Sequence, residues 1–247
     1  SRGQQATEDV LTLFLAHGIT TIRGMLGEPS HLELRDALAA GTVFGPRLIT
    51  SGPSFNGNSV SSPEQGAARV LAQAGAGYDF LKIHPGLSRE EFLAISTAAS
   101  TMGMPFGGHI SFETGLDTAL QQGQDTIDHL DGYAEAMVPP SSPLFGQAPE
   151  WFGLNLAAGM DPALAPVLAR ATAAVEVWNV PTQSLFETTT GPLSVEQLLE
   201  RPGMDLIEKS VRNNWAEAVE NIRAQSTPED RERFLATRKT LILALQE

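Results

Sequence analysis

Lys82, His109 and His129 fall at the ends of three successive apolar stretches, "YDFLKIH" (78–84), "MPFGGHI" (104–110) and "DTIDHL" (125–130). Tyr78, Phe80, Leu81 and Ile83 are the aromatic and branched residues that suit an enclosed strand. A lysine among them is costly unless its ammonium snorkels out, is paired, or is chemically used. Two neutral imidazoles at neighbouring strand ends make half of a metal site. A single strand-end histidine is usually an ordinary hydrogen-bonded residue; the succession Lys, His, His sets these three apart. His84 follows Lys82 by two positions and so shares its strand face, which makes it a candidate for contact with substrate or for orienting a ligand. Tyr133, in "HLDGY", is a candidate to hydrogen-bond a substrate carboxylate or carbonyl.

The elements that must hold these residues alternate along the chain. "TEDVLTLFLAHG" reads as a helix with a Thr cap, acids in its first turn and a Gly stop, and the β-branched "ITTIRGM" follows as a strand. The same step repeats from "LELRDALAAG" to "GPRLITSG", from "SPEQGAARVLAQAGAG" to "YDFLKIH", from "SREEFLAISTAASTMG" to "MPFGGHI", from "FETGLDTALQQG" to "DTIDHL", and from "PALAPVLARATAA" to "VEVWNVPTQS". About six strands, each after a helix, is the order that gives a parallel sheet with right-handed crossovers. Both a doubly wound open sheet and a closed eight-stranded barrel fit it. The open sheet usually carries a Gly-rich phosphate loop, and neither "GNSVSSPEQG" nor "GAGYDF" has that spacing. In a barrel the chemistry lies at the C-terminal strand ends, where Lys82, His109 and His129 fall.

Composition narrows the function classes. The chain has 247 residues, 42% of them hydrophobic, enough for one large α/β domain or two smaller ones. A formal charge of -13, with no Lys/Arg-rich stripe, argues against a nucleic-acid partner. The absence of cysteine removes disulfides, thiolate nucleophiles and Cys-based zinc sites, so any metal must be held by His, carboxylate or a rarer ligand. No apolar run approaches the roughly 20 residues that span a bilayer, so no membrane partner is expected. The compartment stays open: cytoplasmic, or periplasmic or secreted if a leader was removed. Homo-oligomerisation is equally open.

"HGITTIRGM", "LRDALAAGTVFGPRLITSGP", "YDFLKIH", "GGHISFETGLDTALQQGQDTIDHLDGY" and "NVPTQS" together span most of positions 10–190. In combination they resemble the amidohydrolase superfamily of metal-dependent hydrolases, in its imidazolonepropionase-like and Xaa-Pro dipeptidase-like branch. The resemblance implies a (β/α)8 TIM-type barrel. It implies a carboxylated Lys82, a carbamate bridging two divalent metal ions, with His109 and His129 as further ligands; zinc is the metal expected. The activity implied is hydrolysis of a C–N amide bond in a small substrate such as a dipeptide, an N-acyl amino acid or a cyclic amide; for Tyr133 and His84 a substrate contact stands beside an ordinary structural role, the reading favoured for each.

The sequence also departs from the pattern. The family carries a His-x-His pair on its first strand and an aspartate on its eighth; His17 and His31 lack that spacing, and the text ends on the helical "TLILALQE". The expectation is therefore strands two to seven of a barrel within a longer protein, since six strands cannot close a barrel built for eight. Residues 1–247 are read as one partial hydrolase domain, with a lid-like insertion at about 134–160 and a helical tail at about 204–247 split at "STPED". Within the insertion Phe145, Trp151 and Phe152 either contact substrate or pack. Charges of the tail are read as a solvated face. Arg23 either points into the site or pairs with an acid, and the acid usual after it is Gly24 here. Two rival functions remain at this level: a Schiff-base enzyme using Lys82 as nucleophile, and a catalytically incomplete barrel serving as a structural or interaction module.

Overall fold

Hydrogen bonds at the helix ends explain where the chain folds into helices in the computed structural model, which describes residues 2–246. In α4 (Arg89–Met102) the Ser88 side chain accepts from the Glu91 N–H while Glu91 reaches back to the Ser88 N–H, a reciprocal capping box. Gly103 ends that helix in the left-handed region at φ 61, where a side chain would be strained. The preceding α3 (Pro63–Ala76) is built likewise, with Ser62 as cap and Gly77 at φ 86 as stop. The two pack closely enough that a Cβ on Gly66 would lie 2.9 Å from Ile95.

Among the described residues six strands form, each after a helix. The order is α1 (Arg2–Ala16), β1 (Thr21–Gly24), α2 (Pro29–Ala39), β2 (Arg47–Thr50), α3, β3 (Leu81–Ile83), α4, β4 (Phe106–Gly108), α5 (Leu116–Gln121) and β5 (Thr126–Asp128). After β5 come α6 (Tyr133–Ala136), two short 3-10 helices, α7 (Ala165–Ala173), β6 (Trp178–Val180), α8 (Gln183–Thr190), α9 (Val195–Leu199), α10 (Lys209–Ala224) and α11 (Pro228–Gln246). This is a mixed α/β fold. The chain divides into two compact units, Ser1–Thr126 and Ile127–Glu247.

In the first unit the strands are neighbours in chain order. β1 and β2 pair in parallel, Thr21 opposite Arg47 and Gly24 opposite Thr50. Parallel bridges Ser51–Phe80 and Phe55–Ile83 carry the order on to β3, and β3 pairs in parallel with β4, Lys82 opposite Gly107. The strands are shorter than the apolar runs that announce them because side chains and loops take over the ends. Asp79 donates its N–H to the Thr50 carbonyl and accepts the Thr50 N–H on its carboxylate at 2.8 Å. Asp125 repeats this on Phe106, accepting its N–H at 2.9 Å and donating to its carbonyl. Beyond β3, His84 donates its N–H to Phe55.

In the second unit His129, just past β5, donates its N–H to Val180 of β6 at 2.8 Å. Trp151, Phe152, Phe186 and Phe234 form an edge-to-face aromatic cluster, a geometry favoured by ring quadrupoles. Leu154, Leu156, Ala165 and Leu241 of the same unit are buried as well. Among the described residues no helix is long and apolar enough to cross a membrane.

Candidate functional site

Lys82 is the central residue of β3 and only 2% exposed, between Leu81 and Ile83, both fully buried. Its side chain runs over Gly108, at the end of β4. A Cβ built there would meet the Lys82 Cδ and Nζ at 2.8 Å and the Ile83 carbonyl oxygen at 2.3 Å, and the backbone φ of +129 excludes most side chains. The glycine thus makes room for the amine, and the next residue is His109, whose N–H donates to Ile83 at 3.0 Å. His84 and His109, both half-buried, have ring centroids 4.9 Å apart. Lys82, His84 and His109 are therefore assembled along the ends of β3 and β4. The turn after His84 is tied to the segment after His109 by the Ser111 hydroxyl, which accepts from the Gly86 and Leu87 N–H groups.

Arg23 reaches from β1 to Thr126, the first residue of β5. It donates to the Thr126 hydroxyl at 3.2 Å and lies over the Phe80 ring at 4.9 Å, a cation–π contact inside the first unit.

His129 and Tyr133 belong to the second unit. His129 and Leu130 sit at φ 61 and 62, Thr182 at φ 54 and Phe152 at φ 60, unusual values for residues with side chains and costly unless the surroundings enforce them. These outliers touch one another. His129 Nδ1 is 2.8 Å from the Thr182 hydroxyl, and its ring is 5.1 Å from that of Phe152. The Thr182 hydroxyl also lies 3.3 Å from the Val180 carbonyl, so the ring is held at Nδ1 and Nε2 is the nitrogen turned away from Thr182. A neighbour that holds one ring nitrogen fixes the direction of the other. Tyr133 is fully buried. Its hydroxyl pairs with that of Thr172 at 2.7 Å and accepts from Asn179 at 3.2 Å. Burial holds its pKa above the ordinary tyrosine value, the two hydrogen bonds opposing. Asp128 is buried as well, whereas Phe145 is exposed and Trp151 and Phe152 pack in the aromatic cluster.

The tail contradicts one expectation. Arg238, read as part of a solvated face, is 5% exposed. Its guanidinium donates to the carbonyls of His129 and Pro181 and to the Gln183 side chain, and it stacks over Phe186 at 3.6 Å. Desolvation lowers its pKa to about 10, with Asp131 opposing the shift; it stays charged at neutral pH. A signal for it was present: Phe234, Thr237, Arg238 and Leu241 have the i, i+3, i+4, i+7 spacing of a buried stripe, and Arg238 interrupts it.

Lys82, His84 and His109 are the nitrogen-bearing side chains that the ends of β3 and β4 bring together. Among the described residues no three or more His, Asp or Glu are grouped so as to hold a metal by themselves.

No protein-family profile matches the sequence, and no curated protein matches it. Solved structures do. A bottromycin amidohydrolase superposes with a TM-score of 0.63 at 23% identity, over 92% of this chain and 49% of that one. A Xaa-Pro dipeptidase with methionine bound in its active site gives 0.50 at 18% identity, over 93% and 62%. The ochratoxinase of A. niger gives 0.51 at 14% identity, over 83% and 49%. At such identities the likeness is one of fold. The chain spans between 49% and 62% of the length of these structures.

Proposed function

We propose that the chain is part of a metal-dependent amidohydrolase that cleaves a C–N amide bond in a small substrate, a dipeptide, N-acyl amino acid or cyclic amide. The observation that carries this reading is Lys82: a lysine buried in mid-strand, its amine lodged over Gly108 beside His109. Likeness of fold to an amidohydrolase and a Xaa-Pro dipeptidase supports it. In this reading β1 to β6 are strands two to seven of a (β/α)8 barrel.

Lys82 is assigned the bridging role. Its neutral amine would add to carbon dioxide, the new N–C bond forming as one C=O π pair moves onto oxygen and the nitrogen gives up a proton to solvent, and the resulting carbamate anion would offer oxygens to divalent ions. His109 and His129 are assigned as further ligands, the latter through Nε2. Bound there, two divalent ions, zinc by preference, would supply water activated near neutral pH and polarise the scissile carbonyl. His84, against the His109 ring, is assigned a substrate contact. Tyr133 would make one only by exchanging its bond to Thr172 or Asn179.

The test is elemental analysis combined with amide hydrolysis on the full-length protein. His109→Ala and His129→Ala should each lose metal and activity with little change in folding. Lys82→Ala should lose metal, and a short carboxylate such as formate should restore part of the activity by supplying bridging oxygens. Unchanged metal content in all three variants would refute the assignment.

A further inference from the structure

We infer that Arg238 is a positioning residue for His129: from α11 it locks the turn that aims the imidazole. The inference rests on the reading of His129 as a metal ligand. Two residues in succession, His129 and Leu130, hold left-handed backbone conformations without being glycine, so something outside the turn must enforce them. The guanidinium does this from two sides. Nη1 donates to the His129 carbonyl at 2.9 Å and Nη2 to the Pro181 carbonyl at 2.7 Å. One residue beyond Pro181, the Thr182 hydroxyl holds the His129 ring at Nδ1. Backbone and ring of His129 are thereby closed into a single hydrogen-bonded circuit that runs Arg238, His129, Thr182, Pro181 and back to Arg238. Gln183 fixes the guanidinium at Nε, 3.1 Å away, and the Phe186 ring lies beneath its plane.

Only a planar fork of donors closes this circuit. A lysine ammonium is a point charge without the geometry to serve two carbonyls and an amide while stacking on a ring. Partners that orient a ligating histidine typically change metal affinity by about 10–100-fold when removed. Arg223 provides an internal comparison. It too ties down backbone carbonyls, those of Thr188, Thr189, Gly191 and Leu193, but none of them belongs to the His129 circuit.

The experiment is zinc affinity of the full-length protein by chelator competition, with the visible spectrum of the cobalt(II) form as a second readout. Arg238→Lys should weaken zinc by about 10–100-fold and alter the cobalt spectrum, while Arg223→Lys leaves both unchanged. Thr182→Ala should weaken zinc in the same direction, and Thr182→Ser should restore it. Wild-type affinity and spectrum in a folded Arg238→Lys protein would overturn the inference. If that variant does not fold, Gln183→Ala, which loosens the guanidinium without removing it, should still weaken zinc, and no change there overturns the inference too. His129→Ala separates the two levels: unchanged zinc stoichiometry in it refutes the ligand assignment itself, whereas loss of zinc there with no effect at Arg238 refutes only the positioning role.

Discussion

At Gly108 the absence of one methyl group makes room for Lys82. Alanine there would have to adopt φ +129 and set its Cβ 2.3 Å from the backbone oxygen of Ile83, an atom with no freedom to retreat. Gly108→Ala should therefore cost about 2 kcal/mol or more and reduce metal retention, because Lys82 Nζ is displaced as well. Gly103→Ala, also at positive φ but with open space around it, should cost only about 1 kcal/mol; denaturant titrations of the pair isolate the contact. A second prediction concerns Glu135, whose pKa is raised by burial first and by Asp131 in addition, its own backbone hydrogen bond opposing. A raised carboxylate pKa means that stability is full below the unfolded value, about 4.3, and falls as pH rises through the folded one. Glu135→Gln should then raise the melting temperature at neutral pH, with the gain shrinking toward about pH 4; an equal gain at both would contradict the shift. At this scale the placement of Lys82 in β3 and of His109 and His129 just past β4 and β5 was legible, because residue type and strand pattern are both written in the sequence. Thr182 and Arg238 were not read, since their roles depend on a turn fifty residues from one and a hundred from the other.

Helices and strands were the most legible level, and the reason is chemical. Ser88 with Glu91, Ser194 with Gln197, and the glycine stops at Gly77 and Gly103 are local signals whose hydrogen bonds close within one turn. Strand ends were less legible because they are set by partners distant in sequence. Asp79 and Asp125 illustrate this: each precedes its strand and takes a backbone N–H from the strand before it, so the ladder is extended by a side chain where the main chain has no register. Asp79 is also held by Arg35 at 3.1 Å, and Asp125 has no ion pair of that kind among the described residues. Asp125→Ala should consequently cost about 1 kcal/mol, the value of one hydrogen bond, and increase amide hydrogen exchange at Phe106 specifically. Uniform exchange across β4 would instead mean that the strand, not the clamp, was lost. The tail helix shows the opposite failure. A stripe of Phe234, Thr237 and Leu241 was visible, but charge suggested solvent for Arg238, and its burial depends on carbonyls of His129 and Pro181 that no local pattern announces.

For the molecule as a whole, the question is whether metal belongs to the folded state or is a passenger. A formal charge of -13 attracts cations loosely at many places, so metal content alone does not distinguish a site from an atmosphere. Linkage does. A ligand that binds only the folded chain stabilises it by about 2.7 kcal/mol when present at one hundred times its dissociation constant. For a domain of this size about 1 kcal/mol moves the melting temperature by about 2–4 °C, so saturating zinc should raise it by about 5–10 °C over a chelator-treated sample. The dependence should follow the logarithm of zinc concentration and disappear in Lys82→Ala, which keeps every Asp and Glu carboxylate but lacks the proposed bridge. Weak surface binding predicts a small shift that survives in Lys82→Ala and is abolished by moderate salt, because exposed charges are screened within about 10 Å at 0.1 M ionic strength. A chain serving only as a structural or interaction module predicts no zinc-dependent shift in either protein.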